Sequence, residues 1–259
     1  MEVIEHTTNN FGGIILNPAA LPATVDEFQT RLRDSMQQWT EQEFKLVWLE
    51  TPIQRSELIP IAVGMGFIFH HSTDHYLMLV RRLQANAFIP PYSTHYIGIG
   101  GVVLNEKQEL LVVVEKYHKV SRPNFYKLPG GALQAGEHLV DAAIREVFEE
   151  TGVQTKFEGL VCFRHWHGYR YGKSDIYFVA RLSPLSEEIT QDHDEIEECK
   201  WMPVDEYLNH PTVHNFNKQI VRAALHSRGL RPSSIEGYDD PKTREFFMPV
   251  ELSETHGNK

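Results

Sequence analysis

The chain has 259 residues, and 25 Lys and Arg face 35 Asp and Glu, so its formal net charge is −10. This length fits one large domain or two modest ones. The acidic balance argues against a broad nucleic-acid-binding surface, which needs a basic stripe, so we expect no stable nucleic-acid partner. The chain has only two cysteines, no apolar run long enough to span a bilayer and no signal-peptide pattern at its start. We therefore expect a cytoplasmic protein without a membrane anchor.

The first half of the chain has the pattern of a small α/β domain over residues 11–88, preceded by a disordered N-terminus at 1–10. Thr24 and Glu27 match a capping box before an amphipathic helix. The other predicted elements are a strand at 11–18, a strand at 45–50, a helix from about 53 that Pro60 kinks, and two strands around a turn at 72–74. Pro90 and Pro91 break the pattern, so residues 89–94 are the predicted linker.

Residues 95–230 mix strands and helices, which predicts a second α/β domain. The predicted elements are a hairpin-like strand pair at 96–105 and 109–116, a short strand that ends in the glycines 130–131, an acidic helix, strands at 157–167, 174–182 and 198–203, and a helix from 215. Residues 231–259 are a C-terminal extension, which we expect to be partly disordered.

The acidic helix places like charges close together. On a helical wheel Glu146, Glu149 and Glu150 fall within an arc of about 100°, and Glu146 and Glu150 are separated by about 6 Å along the axis. Like charges three or four residues apart repel each other, and a hard divalent cation bound by oxygen ligands would offset the repulsion. A solvated glutamate face without a metal explains the same spacing.

The order of the residues distinguishes these interpretations. Gly131, five residues, Glu137, seven residues and the segment 145–153 (REVFEETGV) reproduce every fixed position of the Nudix box, GX5EX7REUXEEXGU with U aliphatic. The sequence therefore resembles the Nudix hydrolase superfamily. Over about residues 11–230 it resembles a two-domain group that includes the plant ADP-ribose/NADH pyrophosphatases and the animal Nudix protein encoded antisense to basic fibroblast growth factor.

The resemblance implies a fold and a set of metal ligands. The expected fold is α/β, with a Nudix α/β/α sandwich and a smaller N-terminal α/β domain that is similar to a reduced GNAT acetyltransferase. Members of the superfamily cleave pyrophosphates with Mg²⁺ or Mn²⁺. By motif position, Glu146, Glu149, Glu150 and the carbonyl of Gly130 correspond to metal ligands.

The resemblance also implies roles around the metal. Glu137 and Arg145 correspond to a structural pair that holds the loop against the helix. The general base is expected in the acidic loop 191–201, where Glu195 is preferred and Glu197 is the alternative. A solvated loop without catalytic function remains open, and in that case Glu146 or Glu149 is the base.

The predicted function is a metal-dependent hydrolase of the pyrophosphate bond in nucleoside diphosphate derivatives, with ADP-ribose or NADH favoured as substrate. The alternative is a catalytically weak Nudix-fold protein that binds a nucleotide or a protein partner. A GNAT-type transferase is disfavoured, because no acetyl-CoA loop of the form Arg/Gln-x-x-Gly-x-Gly/Ala precedes residue 93. A homodimer is compatible with the sequence. His70 and His71 are adjacent in a predicted strand and should face opposite sides, so they are not expected to share a metal ion.

Overall fold

The computed structural model describes residues 3–116, 125–238, 240 and 242–249. The chain divides into two compact units, Met1–Thr94 and His95–Lys259. Residues 250–259, the end of the predicted C-terminal extension, lie outside the described part. Within that part, no helix is long and apolar enough to cross a membrane.

The first unit is built on one sheet. Its strands are β1 (His6–Thr8), β2 (Gly13–Leu16), β3 (Leu46–Pro52), β4 (Ile68–Ser72) and β5 (Tyr76–Arg82), and its α-helices are α1 (Val25–Glu41) and α2 (Ile59–Gly64). The strand order is β1-β2-β3-β5-β4, in which β2 and β3 are parallel and the other pairs are antiparallel. Short 3-10 helices span Pro18–Ala20 and Ile53–Leu58.

Helix α1 confirms the capping and periodicity predicted from the sequence. The Thr24 hydroxyl oxygen accepts a hydrogen bond from the Glu27 amide at 3.3 Å. Phe28, Leu32 and Trp39 are fully buried against the sheet. An N-cap satisfies an amide that has no partner within the helix, and the apolar stripe supplies most of the packing.

The predictions for the start of the chain and for Pro60 are wrong. Residues 1–10 were expected to be disordered, but they contain β1, and Ile4 is fully buried with its amide bonded to the Ser35 hydroxyl at 3.0 Å. Pro60 does not kink a helix interior. It lies in the first turn of α2, where its missing amide hydrogen has no helical partner to lose.

The two adjacent histidines also depart from the prediction. The register of β4 against β5 shifts between Phe69 and His71, which marks a bulge or irregularity. The Nδ1 atoms of His70 and His71 therefore lie 2.7 Å apart instead of on opposite faces. His70 also contacts the carbonyl of Pro90, and His71 stacks on Tyr92 at 4.4 Å. A local irregularity of this kind places consecutive side chains on one side of a strand.

The second unit contains most of the strands. They are β6 (His95–Val103), β7 (Glu109–Glu115), β8 (Gly130–Ala132), β9 (Thr155–Arg170), β10 (Lys173–Pro184), β11 (Ile196–Pro203), β12 (Leu230–Pro232) and β13 (Phe247–Pro249). Its helices are α3 (Leu139–Thr151), α4 (Val204–Asn209) and α5 (Asn215–His226). One sheet has the order β13-β12-β9-β10-β6-β8, and β11 pairs with β7 in a second.

Helices cover both faces of these strands. Val103 and Ile99 of β6 pack with Val147 of α3 in one apolar cluster. Val102, the neighbour of Val103, packs with Val221 of α5 in another. Because successive strand residues point to opposite faces, one strand serves both layers. This arrangement confirms the predicted α/β/α sandwich.

The predicted hairpin-like pair of strands at 96–105 and 109–116 is present only at its turn, where the Asn105 amide donates to the carbonyl of Glu109 at 3.1 Å. β6 pairs with β10 on one side and, at Gly98 to Gly100, with β8 on the other, and it forms no ladder with β7. An isolated bridge joins Leu104 to Leu110, and β7 then pairs antiparallel with β11. The sequence pattern identified both strands but could not show that the edges of β6 were taken by strands that are distant in sequence.

Candidate active site

The box helix α3 faces a pair of glycines in β8. The amide of Gly130 donates a hydrogen bond to Glu150 Oε2 at 3.0 Å. A Cβ atom on Gly131 would lie 2.4 Å from Glu146 Oε2, so a larger residue there would displace that carboxylate. Gly130 also has a φ of 149°, in a region that favours glycine. The glycine pair therefore lets two carboxylates of the helix approach the backbone closely.

Glu150 shares its partner Lys127 with a carboxylate of strand β7. Lys127 Nζ lies 3.1 Å from Glu150 Oε1 and 2.5 Å from Glu115 Oε1. Glu150 is only 7% exposed, and this burial raises the pKa of its carboxyl above the ordinary value despite Lys127. Burial opposes the charge on Lys127, but Glu150 and Glu115 together hold the pKa of that amine above its usual range. The buried Glu150 and the partly exposed Glu115 thus share one lysine.

Arg145 connects the loop before the helix to two other carboxylates. Its Nε and Nη2 donate to the two carboxylate oxygens of Glu137 at 2.6 and 2.8 Å. Its Nη1 donates to Glu146 and to Glu149, each at 2.8 Å. The bond from Arg145 lowers the pKa of the Glu137 carboxyl, whereas burial raises the pKa of Glu146. A bidentate pair of this kind fixes orientation as well as charge.

The box glutamates do not converge on one point. Arg145 holds Glu146 and Glu149, while Lys127 and the Gly130 amide hold Glu150. Accordingly, no group of three or more His, Cys, Asp or Glu in the described residues is arranged to hold a metal ion. The side chains of the three glutamates nevertheless suit a hard divalent cation, because they offer carboxylate oxygens as ligands. Two of these carboxylates are desolvated beside the glycine pair.

The acidic loop reaches the same place through strand pairing. β11 aligns Ile196 with Glu115 of β7, and the Lys116 amide donates to the carbonyl of Glu195 at 2.9 Å. At the end of the box helix, the Asp192 amide donates to the carbonyl of Glu150 at 3.2 Å. Glu115, Glu150 and Glu195 consequently line one cavity of about 540 Å³. The carbonyl of Glu197, the alternative base, accepts from the Gln191 side chain at 3.2 Å.

A larger cavity of about 760 Å³ adjoins this one, because Glu115 and Arg170 line both. Its wall includes Gly130, Gly131, Lys127 and several aromatic side chains. Arg164 is held by the buried Asp175 at 2.5 Å, and its guanidinium lies 5.2 Å from the Trp166 ring centre. The cleft combines fixed positive charge with flat apolar surfaces.

Sequence reasoning missed three of these charged residues, namely Glu115, Lys127 and Asp175. Glu115 carried one usable signal, since it is one of two glutamates that bound an apolar run in β7. The Arg164–Asp175 pair depends on the register between β9 and β10, where irregularities shift the alignment. That register is not evident from the spacing of the two segments.

Comparison with known proteins agrees with this architecture. A family model described as a Nudix hydrolase domain matches residues 4–83, and one described as a NUDIX domain matches residues 94–224. Nudix hydrolase 8 of Arabidopsis thaliana is 37% identical over 251 residues, which cover 93% of this chain and 68% of that protein. Nudix hydrolase 2 of the same plant is 41% identical over 209 residues, 80% of this chain and 75% of that protein.

Similar proteins are also found outside plants. The human protein called nucleoside diphosphate-linked moiety X motif 6 is 32% identical over 238 residues, 89% of this chain and 73% of that protein. A solved NUDIX hydrolase from Nitrosomonas europaea is 25% identical with a TM-score of 0.40, over 49% of this chain and 86% of that one. The family models and the curated relatives together show that the chain belongs to the Nudix hydrolase family.

Proposed function

We propose that this protein is a metal-dependent diphosphatase that hydrolyses the pyrophosphate bond of nucleoside diphosphate derivatives, with ADP-ribose or NADH as the favoured substrates. The observation that carries the proposal is the placement of Glu146 and Glu150 against the glycine pair, beside a cleft lined by cations and aromatic rings. Carboxylates that are desolvated in this way favour a bound cation, and the cleft suits a molecule that is anionic at one end and flat at the other.

The ion would be Mg²⁺ or Mn²⁺, and Glu146, Glu149, Glu150 and the carbonyl of Gly130 would hold it. When bound, such an ion neutralises phosphate oxygens and lowers the pKa of a water molecule. The protein supplies the negative charge and the orientation. Arg145 sets the direction of two of the carboxylates through its link to Glu137.

The cleft would bind the rest of the substrate. Arg164, Lys127 and Arg170 line it and supply positive charge for the phosphates. Arg164 is oriented by Asp175, so it loses little freedom when it binds an anion. Trp166 and Tyr169, whose ring centres are 5.2 Å apart, offer surfaces on which a nucleobase can stack.

Glu195 is the proposed general base. It is exposed at the cavity that Glu150 and Glu115 also line, so a water molecule there can reach it. A base acts on a proton within hydrogen-bonding distance, directly or through one water. Glu197 is the alternative. The loop is tethered to the helix end through Asp192, which supports a role near the metal ligands.

The test is a substrate panel with product chromatography. ADP-ribose, NADH, diadenosine polyphosphates, nucleotide sugars, coenzyme A and 8-oxo-dGTP are each incubated with Mg²⁺ or Mn²⁺. We expect cleavage within the diphosphate and the highest kcat/KM for ADP-ribose or NADH. Binding of a nucleotide without cleavage of any compound in the panel would instead favour the catalytically weak alternative. A cytoplasmic location, a homodimer and a GNAT-like N-terminal domain stay predictions from the sequence.

A further inference from the structure

The N-terminus of the box helix has a cap that comes from the far end of the chain. His138, the N-cap residue, makes no capping hydrogen bond with its own side chain. Instead Glu245 accepts from the amide of Leu139 at 2.6 Å and from the amide of Val140 at 3.2 Å. His138 Nδ1 lies 3.6 Å from the same carboxylate. A carboxylate that accepts hydrogen bonds from two amides without partners inside the helix is favourable at the helix N-terminus.

The C-terminal extension holds this carboxylate in place. β12 and β13 form an antiparallel pair, and β12 joins β9 at Leu160. Phe247, two residues after Glu245, packs in the same apolar cluster as Leu139 and the buried face of α3. The extension is therefore anchored on both sides of the loop that carries Glu245. The family model match ends at residue 224, before this loop.

A short chain of contacts links the cap to the proposed metal ligands. Glu137 is two residues before Leu139, so movement of the first helical turn moves Glu137 as well. Glu137 accepts both hydrogen bonds from one edge of Arg145. The remaining nitrogen of that guanidinium, Nη1, holds Glu146 and Glu149. Loss of the cap would thus alter the positions of Glu146 and Glu149 through the Glu137–Arg145 ion pair.

We propose that Glu245 is a positioning residue for the hydrolase, through which the C-terminal extension sets the divalent-metal affinity of the box helix. The inference rests on the proposed function, because it concerns ligands assigned there. Glu245 does not touch the reacting atoms. It fixes the helix turn and the loop from which Arg145 and the glutamates take their orientation.

The experiment compares Glu245→Gln with Glu236→Gln in the full-length chain. Glu236 is an exposed glutamate of the same extension, so the two variants lose the same charge. Mn²⁺ is titrated without substrate and the free ion is followed by electron paramagnetic resonance. We expect Mn²⁺ affinity about ten-fold weaker in Glu245→Gln and unchanged in Glu236→Gln, as for other groups that orient metal ligands. Hydrogen exchange should also speed up at Leu139 and Val140.

A second variant keeps the test decisive if Glu245→Gln folds poorly. His138→Asp in the Glu245→Gln background supplies a local N-cap, and we expect it to recover most of the Mn²⁺ affinity. Glu150→Gln serves as the reference in the same titration. If Glu150→Gln loses Mn²⁺ binding while Glu245→Gln binds like the unsubstituted protein, the positioning role is wrong and the metal site stands. If Glu150→Gln also binds normally, the proposed metal site itself is wrong.

Discussion

Two stretches of this protein are rich in carboxylates, and they differ in burial and in bonded partners. On the box helix, Glu146 and Glu150 are partly or largely buried and bonded to Arg145 and Lys127. In the loop before β11, Glu195 and its neighbour Asp194 are exposed. Both stretches look equally acidic in the sequence. Burial and partners, and not charge density, distinguish Glu146 and Glu150, which we propose as metal ligands, from the exposed Glu195, which we propose as the base. Glu149, the third proposed ligand on the helix, is exposed but is held by Arg145.

The energetic difference follows from desolvation. Burial disfavours the ionised form of Glu146 and Glu150 and raises the pKa of both. Each carboxylate is therefore costly unless a positive charge is near, and a divalent cation adds to what Arg145 and Lys127 supply.

The largest expected effect is at Glu150. Glu150→Gln keeps the size of the side chain and an acceptor for the Gly130 amide but removes a proposed metal-binding charge. We expect turnover to fall between about 10²- and 10³-fold, as for loss of strong electrostatic stabilisation. Steady-state kinetics with saturating Mg²⁺ measures it. Unchanged turnover would remove Glu150 from the metal site.

The next effect is at Glu195, on the other side of the comparison. Glu195→Gln should lower kcat by about 10²-fold and remove the acidic limb of the pH–rate profile. Metal affinity should stay the same, because the box glutamates are intact. Glu188→Gln, at an exposed glutamate nearby in sequence, is the matched control.

A negative result here has a defined meaning. If Glu195→Gln and Glu197→Gln both keep normal turnover, the loop does not supply the base. The base must then be sought at Glu146 or Glu149, and the two acidic stretches would not divide the chemistry between them.

A smaller effect should follow from crowding Glu146 without changing any charge. The added methyl group in Gly131→Ala would lie 2.4 Å from Glu146 Oε2, so the carboxylate must move. We expect about a ten-fold loss of kcat and a weaker response to Mg²⁺. Gly64→Ala is the control, since a Cβ there meets nothing within 4 Å. Equal activity of Gly131→Ala and the unsubstituted protein would show that the position of Glu146 is not critical.

The smallest effect concerns stability without metal. The ionised forms of Glu146 and Glu150 destabilise the fold above their raised pKa values, and protonation relieves this as the pH falls towards the ordinary value of 4.5. Glu137 acts in the opposite sense, because its lowered pKa stabilises the fold above 4.5 and this contribution is lost at lower pH. As the pH is lowered from neutral to 4.5, the free energy of unfolding, measured with denaturant, should therefore rise less for Glu150→Gln than for the unsubstituted chain. Identical pH dependence would mean that desolvation of Glu150 contributes little.

Features set by residues that are close together in sequence were predicted, and contacts between residues that are far apart in sequence were missed. The box spacing identified α3 and its glutamates because the motif is contiguous, and Thr24 predicted the start of α1 by its own capping chemistry. Lys127 could not be assigned, since its two partners come from β7 and α3. Glu245 caps an amide 106 residues earlier in the chain, and no local pattern carries that information.

The most direct test of the proposed chemistry is hydrolysis of ADP-ribose in heavy-oxygen water, with and without Mg²⁺, with mass analysis of the products. We expect AMP and ribose 5-phosphate, one of them carrying the heavy oxygen, with no cleavage after chelation and full recovery when Mg²⁺ is restored. The same products in unreduced amounts after chelation would contradict a role for the box glutamates as metal ligands, and absence of cleavage with either Mg²⁺ or Mn²⁺ would contradict ADP-ribose as the substrate.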